Sequence, residues 1–135
     1  MQYKVEKIEG VGAQFAAKLA TAGIRNTKQL LDRAATRKGR AELAKTTGLE
    51  ERLILKWANM SDLMRIKGVG EEFSELLEIA GVDTVKELAK RRADNLRAAM
   101  VEANGKRKLV RQLPSLKQCE NWVTQAKTIA PMMSY

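Results

Sequence analysis

The sequence predicts an all-α protein built as two similar units in tandem. The first observation behind this is an internal repeat. Residues 8–34 align without a gap on residues 66–92, at a fixed offset of 58, and a fixed period of self-similarity marks a duplicated structural unit. The matched positions have conformational meaning: Ile8 and Ile66, the runs Gly10–Gly12 and Gly68–Gly70, Phe15 and Phe73, Leu19 and Leu77, Ala22-Gly23 and Ala80-Gly81, Leu30 and Leu88. The second observation is apolar spacing. Phe15, Leu19 and Ala22, like Phe73, Leu77 and Ala80, recur at i, i+4 and i+7; Leu49, Leu53 and Trp57 and then Cys119, Val123 and Ala126 extend the helical pattern. The third is that no stretch alternates apolar and polar residues long enough for a strand in a sheet.

Local signals place the elements. A helix begins at each second glycine of Gly-Val-Gly and ends near Gly23 or Gly81, because glycine takes the left-handed C′ conformation without steric penalty. Thr84 and Glu87 read as a capping box for the next helix of the second unit, with Asn26 and Gln29 a weaker version in the first. A helix over 39–45, a tight turn over 46–49 and a helix over 50–59 complete the first unit. In the second, a helix over 96–103, a turn at Asn104-Gly105 and a helix over 115–127 follow, the last opened by Ser115 with Gln118 in the box position. The expected units are 1–60 and 61–130, divided at Asn59-Met-Ser-Asp62 with Ser61 restarting a short helix. An insertion lies near 106–114, and residues 131–135 form a tail in which Met132 and Met133 are expected to fray.

Composition limits the function. Of 135 residues, 44% are apolar but only 4% aromatic, so aliphatic side chains must fill the core. Trp57 and Trp122 fall on apolar faces at equivalent places and read as core. The lone cysteine, Cys119, excludes an intrachain disulfide and fits a reducing compartment. No apolar run approaches the roughly 20 residues that cross a bilayer, and the first residues lack a secretory pattern; a cytoplasmic location with no membrane partner is expected. Net charge is +9, which favours polyanionic partners. The charge is segregated: residues 61–83 carry 2 basic and 6 acidic side chains, against 12 and 6 in residues 1–60 and 11 and 4 in residues 84–135.

The pattern Ile-x-Gly-Val-Gly-x-x-Phe-[Ala/Ser]-x-x-Leu, present twice in register, resembles the helix-hairpin-helix motif of DNA-repair and recombination proteins. Two paired hairpins in each unit are similar to the double helix-hairpin-helix domain. The whole chain, from Ile8 to about Ile129, resembles a family of small bacterial and cyanobacterial proteins of undefined function built as two such domains. The resemblance implies two SAM-like orthogonal helical units of about five short helices each. It also implies nucleic-acid binding without sequence specificity, with double-stranded or branched DNA ahead of RNA. In the motif the first glycine allows a positive-φ turn, the second lets the backbone approach its ligand, and the helix N-terminus meets a phosphate. Carried onto the first hairpin, these roles fall on Gly10, Val11, Gly12, Ala13 and Gln14, with Lys18 a turn and a half on. Val11 is expected to pack inward, and a larger residue at Gly12 to strain the turn as well as block approach.

The second hairpin departs from the binding pattern. Glu71 and Glu72 follow its second glycine and would repel a phosphate, so its glycines read as structural and its acidic end as a place for a protein partner or self-association. A purely structural role stays open for the first hairpin too. Additional phosphate contacts are expected from Arg37, Lys38 and Arg40, cations at a helix start where the dipole disfavours them, and from Lys106, Arg107, Lys108 and Arg111 in the insertion. Catalysis is not expected. The chain has no histidine, one cysteine cannot form a cysteine-rich zinc site, and the acidic residues read as solvated helix faces. No cofactor or metal is expected. The alternative function is a protein-interaction module that keeps the fold without the phosphate grip.

Overall fold

A computed structural model describes residues 2–135 and is all-helical. After one 3-10 turn at Val5–Lys7 come α1 (Ala13–Thr21), α2 (Thr27–Ala34), α3 (Arg37–Thr47), α4 (Glu51–Leu63), α5 (Glu71–Ile79), α6 (Val85–Leu88), α7 (Ala93–Lys106) and α8 (Leu116–Thr128). Among the described residues the sole β-type pairing is an isolated antiparallel bridge between Lys4 and Asn26.

Buried side chains gather in two clusters. One takes residues from Val5 to Met64, with Leu19, Leu30, Leu43, Ile54 and Trp57 at its centre. The other takes residues from Leu63 to Ala126, with Ile66, Leu77, Leu88, Met100 and Trp122. Helix α4 serves both, turning Met60 to the first and Leu63 to the second. Both tryptophans are 2% exposed, and Cys119 is fully buried, as the apolar spacing predicts. Each tryptophan meets the phenylalanine of its repeat in a tilted pair: Phe15 and Trp57 at 5.1 Å, Phe73 and Trp122 at 5.2 Å.

Caps set the helix ends, with one reversal of expectation. Asn26 and Gln29 form the complete capping box, the Gln29 side chain accepting from the Asn26 backbone and the Asn26 side chain from Gln29 N–H. Thr84 accepts from Glu87 N–H at 3.2 Å, but the Glu87 carboxylate turns away to the Arg91 guanidinium at 3.0 Å. Ser115 and Gln118 form the box expected of them.

The helix restart expected at Ser61 does not occur. Helix α4 runs unbroken to Leu63 because the polar residues near its end are satisfied inside it or across the core. The Ser61 hydroxyl donates to Trp57 C=O at 2.8 Å, and buried Asp62 accepts from Val85 N–H at 2.8 Å and pairs with Arg65 at 2.9 Å. The turn expected at Asn104-Gly105 also moves. Both residues lie in the last turn of α7, where the Asn104 side-chain oxygen accepts from Leu109 and Val110 N–H and folds the following loop back. Nor does the tail fray: residues 130–135 cross to the first half of the chain and bond to it.

Candidate nucleic-acid interface

The first glycine turn is built from below. Val5 N–H donates to Arg25 C=O and Thr27 N–H to Tyr3 C=O, which anchors the segment before the turn against the start of α2. Ile8 and Val11 plug into the core, and Gly10 makes the reversal at φ 91°. That conformation is nearly closed to residues with a Cβ, and Trp57 lies directly beneath it. Val11 therefore offers neither its side chain nor its N–H to a ligand. It is 4% exposed, and its N–H donates to Ile8 C=O at 3.0 Å.

Above the turn the backbone is open. Gly12 is extended at φ −85° and no side chain caps it. A Cβ built there meets nothing within 4 Å, so the strain expected of a substitution is absent and only approach from outside would feel it. Ala13, Gln14 and Lys18 are exposed. The start of α1 borders an open groove of about 560 Å³ whose other walls include Lys4, Glu6, Ala17 and Arg25. Sequence reading missed Lys4 and Arg25 because neither belongs to the motif; the backbone bonds between residues 3–5 and 25–27 bring them there.

The second turn repeats the geometry with different chemistry. Gly68 has φ 97° above Trp122, Val69 is buried, and Gly70 is extended and sterically open. Glu71 and Glu72 fill the first turn of α5. The Gln125 amide clamps the turn from α8, accepting from Lys67 N–H at 2.9 Å and donating to Lys67 C=O at 3.1 Å. Contrary to the expectation of solvated helix faces, the acidic face is partly buried. Glu75 is 8% exposed, and burial, reinforced by the charge of Glu9, holds its carboxyl above the usual range, with Lys56 and Arg107 opposing. Burial raises Glu78 as well. Glu75 thus lies within electrostatic reach of both the first turn and the α7–α8 loop.

The basic groups divide. Arg40 is withdrawn from any external contact: it is 5% exposed, and its guanidinium donates to the carbonyls of Ala34, Ala35 and Ser134. Its cationic register falls on the inner face of α3. Arg37 and Lys38, beside it in sequence, stay exposed and form no ion pair among the described residues. Gly39, between Lys38 and Arg40, presses on Arg33 C=O, where a Cβ would collide. In the insertion, Lys106 pairs loosely with Glu102 at 3.5 Å, while Arg107, Lys108 and Arg111 are exposed and form no salt bridge among the described residues. Arg91, Arg92 and Arg97 are committed to Gly81 C=O and Glu87, to Asp94 and to Pro114 C=O.

Among the described residues no cluster of three or more potential ligands is placed to hold a metal ion, and no helix is long and apolar enough to cross a membrane. No curated protein and no solved structure matches the chain. A family model described as a domain of unknown function, DUF4332, matches residues 9–129. With that match covering most of its length, the chain belongs to the DUF4332 family.

Proposed function

We propose that this protein is a cytoplasmic, non-catalytic, helix-hairpin-helix protein that binds double-stranded or branched DNA through phosphate contacts, without reading sequence. The observation that carries the reading is the open start of α1. Uncapped backbone N–H groups at Gly12–Gln14 lie beside a groove walled by Lys4 and Arg25, with Lys18 exposed along the helix. A helix N-terminus favours an anion through its free donors and its dipole, and such contacts position a protein on a duplex without specifying bases. Lys106, Arg107, Lys108 and Arg111, with Arg37 and Lys38, supply further neutralising charge. Glu6 and Glu9 weaken the field at the first turn and limit the affinity.

Fluorescence anisotropy on a labelled duplex of about 25 base pairs, titrated with salt, tests this. Micromolar binding with a log–log salt slope of about −3 to −5 corresponds to roughly three to six neutralised phosphates. No binding at about 50 mM salt overturns it, because the electrostatic contribution is strongest there.

A second reading concerns the other turn. Its backbone is sterically as open as that of the first, yet Glu71 and Glu72 occupy its helix start. These carboxylates favour a basic protein surface or a basic patch on a second copy of the chain. If duplex binding fails, this docking role is the one that remains.

A further inference from the structure

Residues 130–135 leave α8 and bond back to the first half of the chain. Arg65 donates to Ala130 C=O at 2.8 Å as the segment leaves α8. Met133 packs on the cluster formed by residues Val5 to Met64. Ser134 N–H then donates to Ala35 C=O at 2.9 Å, and Ser134 C=O accepts from Arg40 at 2.8 Å. The Tyr135 ring lies 5.5 Å from the Arg40 guanidinium, within cation–π range. Its hydroxyl donates to the Asn59 side chain at 2.8 Å. The segment thus begins on the second hydrophobic cluster, through Ile129, and ends on the first.

We infer that residues 130–135 are a strap that locks the second half of the chain onto the first, with Arg40 as the residue that holds it. Outside this segment the halves meet at the end of α4, where Leu63 enters the second cluster and Asp62 accepts from Val85 N–H. The strap adds a tie on α2, α3 and the middle of α4, through Ala35, Arg40 and Asn59. Arg40 suits the task because it is buried and forms no salt bridge among the described residues. Two of the carbonyls it bonds, Ala34 and Ala35, belong to the end of α2 and would persist without the strap, whereas Ser134 C=O and the Tyr135 ring arrive only with it. A guanidinium can serve both sides at once because its donors fan out in one plane. A cavity of about 270 Å³ lies between the strap and Asp62, Thr84 and Lys86, so the segment crosses the surface with Met133 as its packing contact on the first cluster.

The inference is independent of what the first turn binds, and its test uses no ligand. In solution NMR of the full chain, the Ser134 amide is expected to exchange at least about tenfold slower than an unstructured amide. Residual dipolar couplings from α1–α4 and from α5–α8 are expected to fit one alignment tensor. Tyr135→Ala removes the ring and the hydroxyl, and Ser134→Pro removes the donor to Ala35. Either variant is expected to require two different tensors, and Tyr135→Ala to bring the Ser134 amide to the unprotected rate. Should one of them lose its dispersed spectrum, Tyr135→Phe, which keeps the ring and loses only the Asn59 bond, gives the same comparison at intermediate size. An unprotected Ser134 amide in the native chain, or a single rigid alignment kept by the variants, overturns the strap.

Discussion

The two glycine turns are alike below the backbone and different above it. In both, the first glycine sits at positive φ over a tryptophan indole, the valine is buried, and a phenylalanine meets the tryptophan at nearly the same distance and tilt. In both, a Cβ on the second glycine would meet nothing. The differences concern charge and tethering. The first turn opens on Ala13 and Gln14 and is held by backbone bonds between residues 3–5 and 25–27. The second opens on Glu71 and Glu72, is clamped by Gln125, and uses the Asp62 carboxylate where the first uses Tyr3 C=O. At the position equivalent to Gln125 relative to the tryptophans, the first half has buried Met60, which cannot make such a clamp. Packing keeps the shape of a duplicated turn, while its outer surface is free to acquire a different chemistry.

The largest expected effects test the shared part. Trp57→Ala and Trp122→Ala each remove a side chain that is 2% exposed and supports a turn. Each is expected to destabilise by about 3–5 kcal/mol, the range for emptying a large aromatic site in a core. Urea denaturation reads both. A loss under about 1 kcal/mol at one of them, well below that range, would break the equivalence of the two turns. Next in size is the tether of the second half. Asp62→Ala leaves buried Val85 N–H without its acceptor and removes the carboxylate paired with Arg65, at a cost of about 1–3 kcal/mol. Amide exchange at Val85 would rise with it. Unchanged exchange there would mean that water replaces the carboxylate, and that the second turn does not depend on α4.

The repeat made the core legible because buried aliphatic residues recur at helical spacing and the glycines mark positions with special φ. Charge was less legible. Arg37, Lys38 and Arg40 read as one basic group, yet helical periodicity turns Arg40 inward, and one of its partners, Ser134, lies 94 positions away in sequence. No local pattern announces such a bond. Lys4 and Arg25 were missed for the same reason, since the contact joining their segments is tertiary. Ser61 misled because the residue type that caps helices can also bond to the carbonyl four positions back and remain inside one.

A smaller effect separates the outer surfaces. Gly12→Ala and Gly70→Ala place a methyl over the two helix starts, and neither backbone resists it. Each is expected to cost under about 1 kcal/mol of stability, since alanine is a poorer N-cap than glycine. If a phosphate approaches the first turn alone, Gly12→Ala weakens duplex binding by about tenfold, or about 1.4 kcal/mol, and Gly70→Ala leaves it unchanged. Equal losses from both would erase the functional difference between the turns. Loss from neither would move binding to the 106–111 loop.

The smallest effect concerns Glu75, where the acidic character of the second half becomes a matter of folding. Burial, then the charge of Glu9, raises its carboxyl above the ordinary value, while Lys56 and Arg107 pull it back and Glu78 adds to the rise. A carboxyl raised in the folded state holds its proton there at a pH where the unfolded chain has released it. Stability therefore falls as pH rises through this window, and the penalty is complete above the folded pKa. Glu75→Gln cannot ionise, so at neutral pH it is expected to melt higher than the native chain. That advantage should shrink on acidification and vanish below about 4.3, the ordinary glutamate value. Thermal melts of both chains from pH 7 to pH 4 measure the difference. A variant that is less stable at pH 7 would show that the attraction of Lys56 and Arg107 outweighs burial, so that the carboxylate ties the α7–α8 loop to α5 instead of straining it.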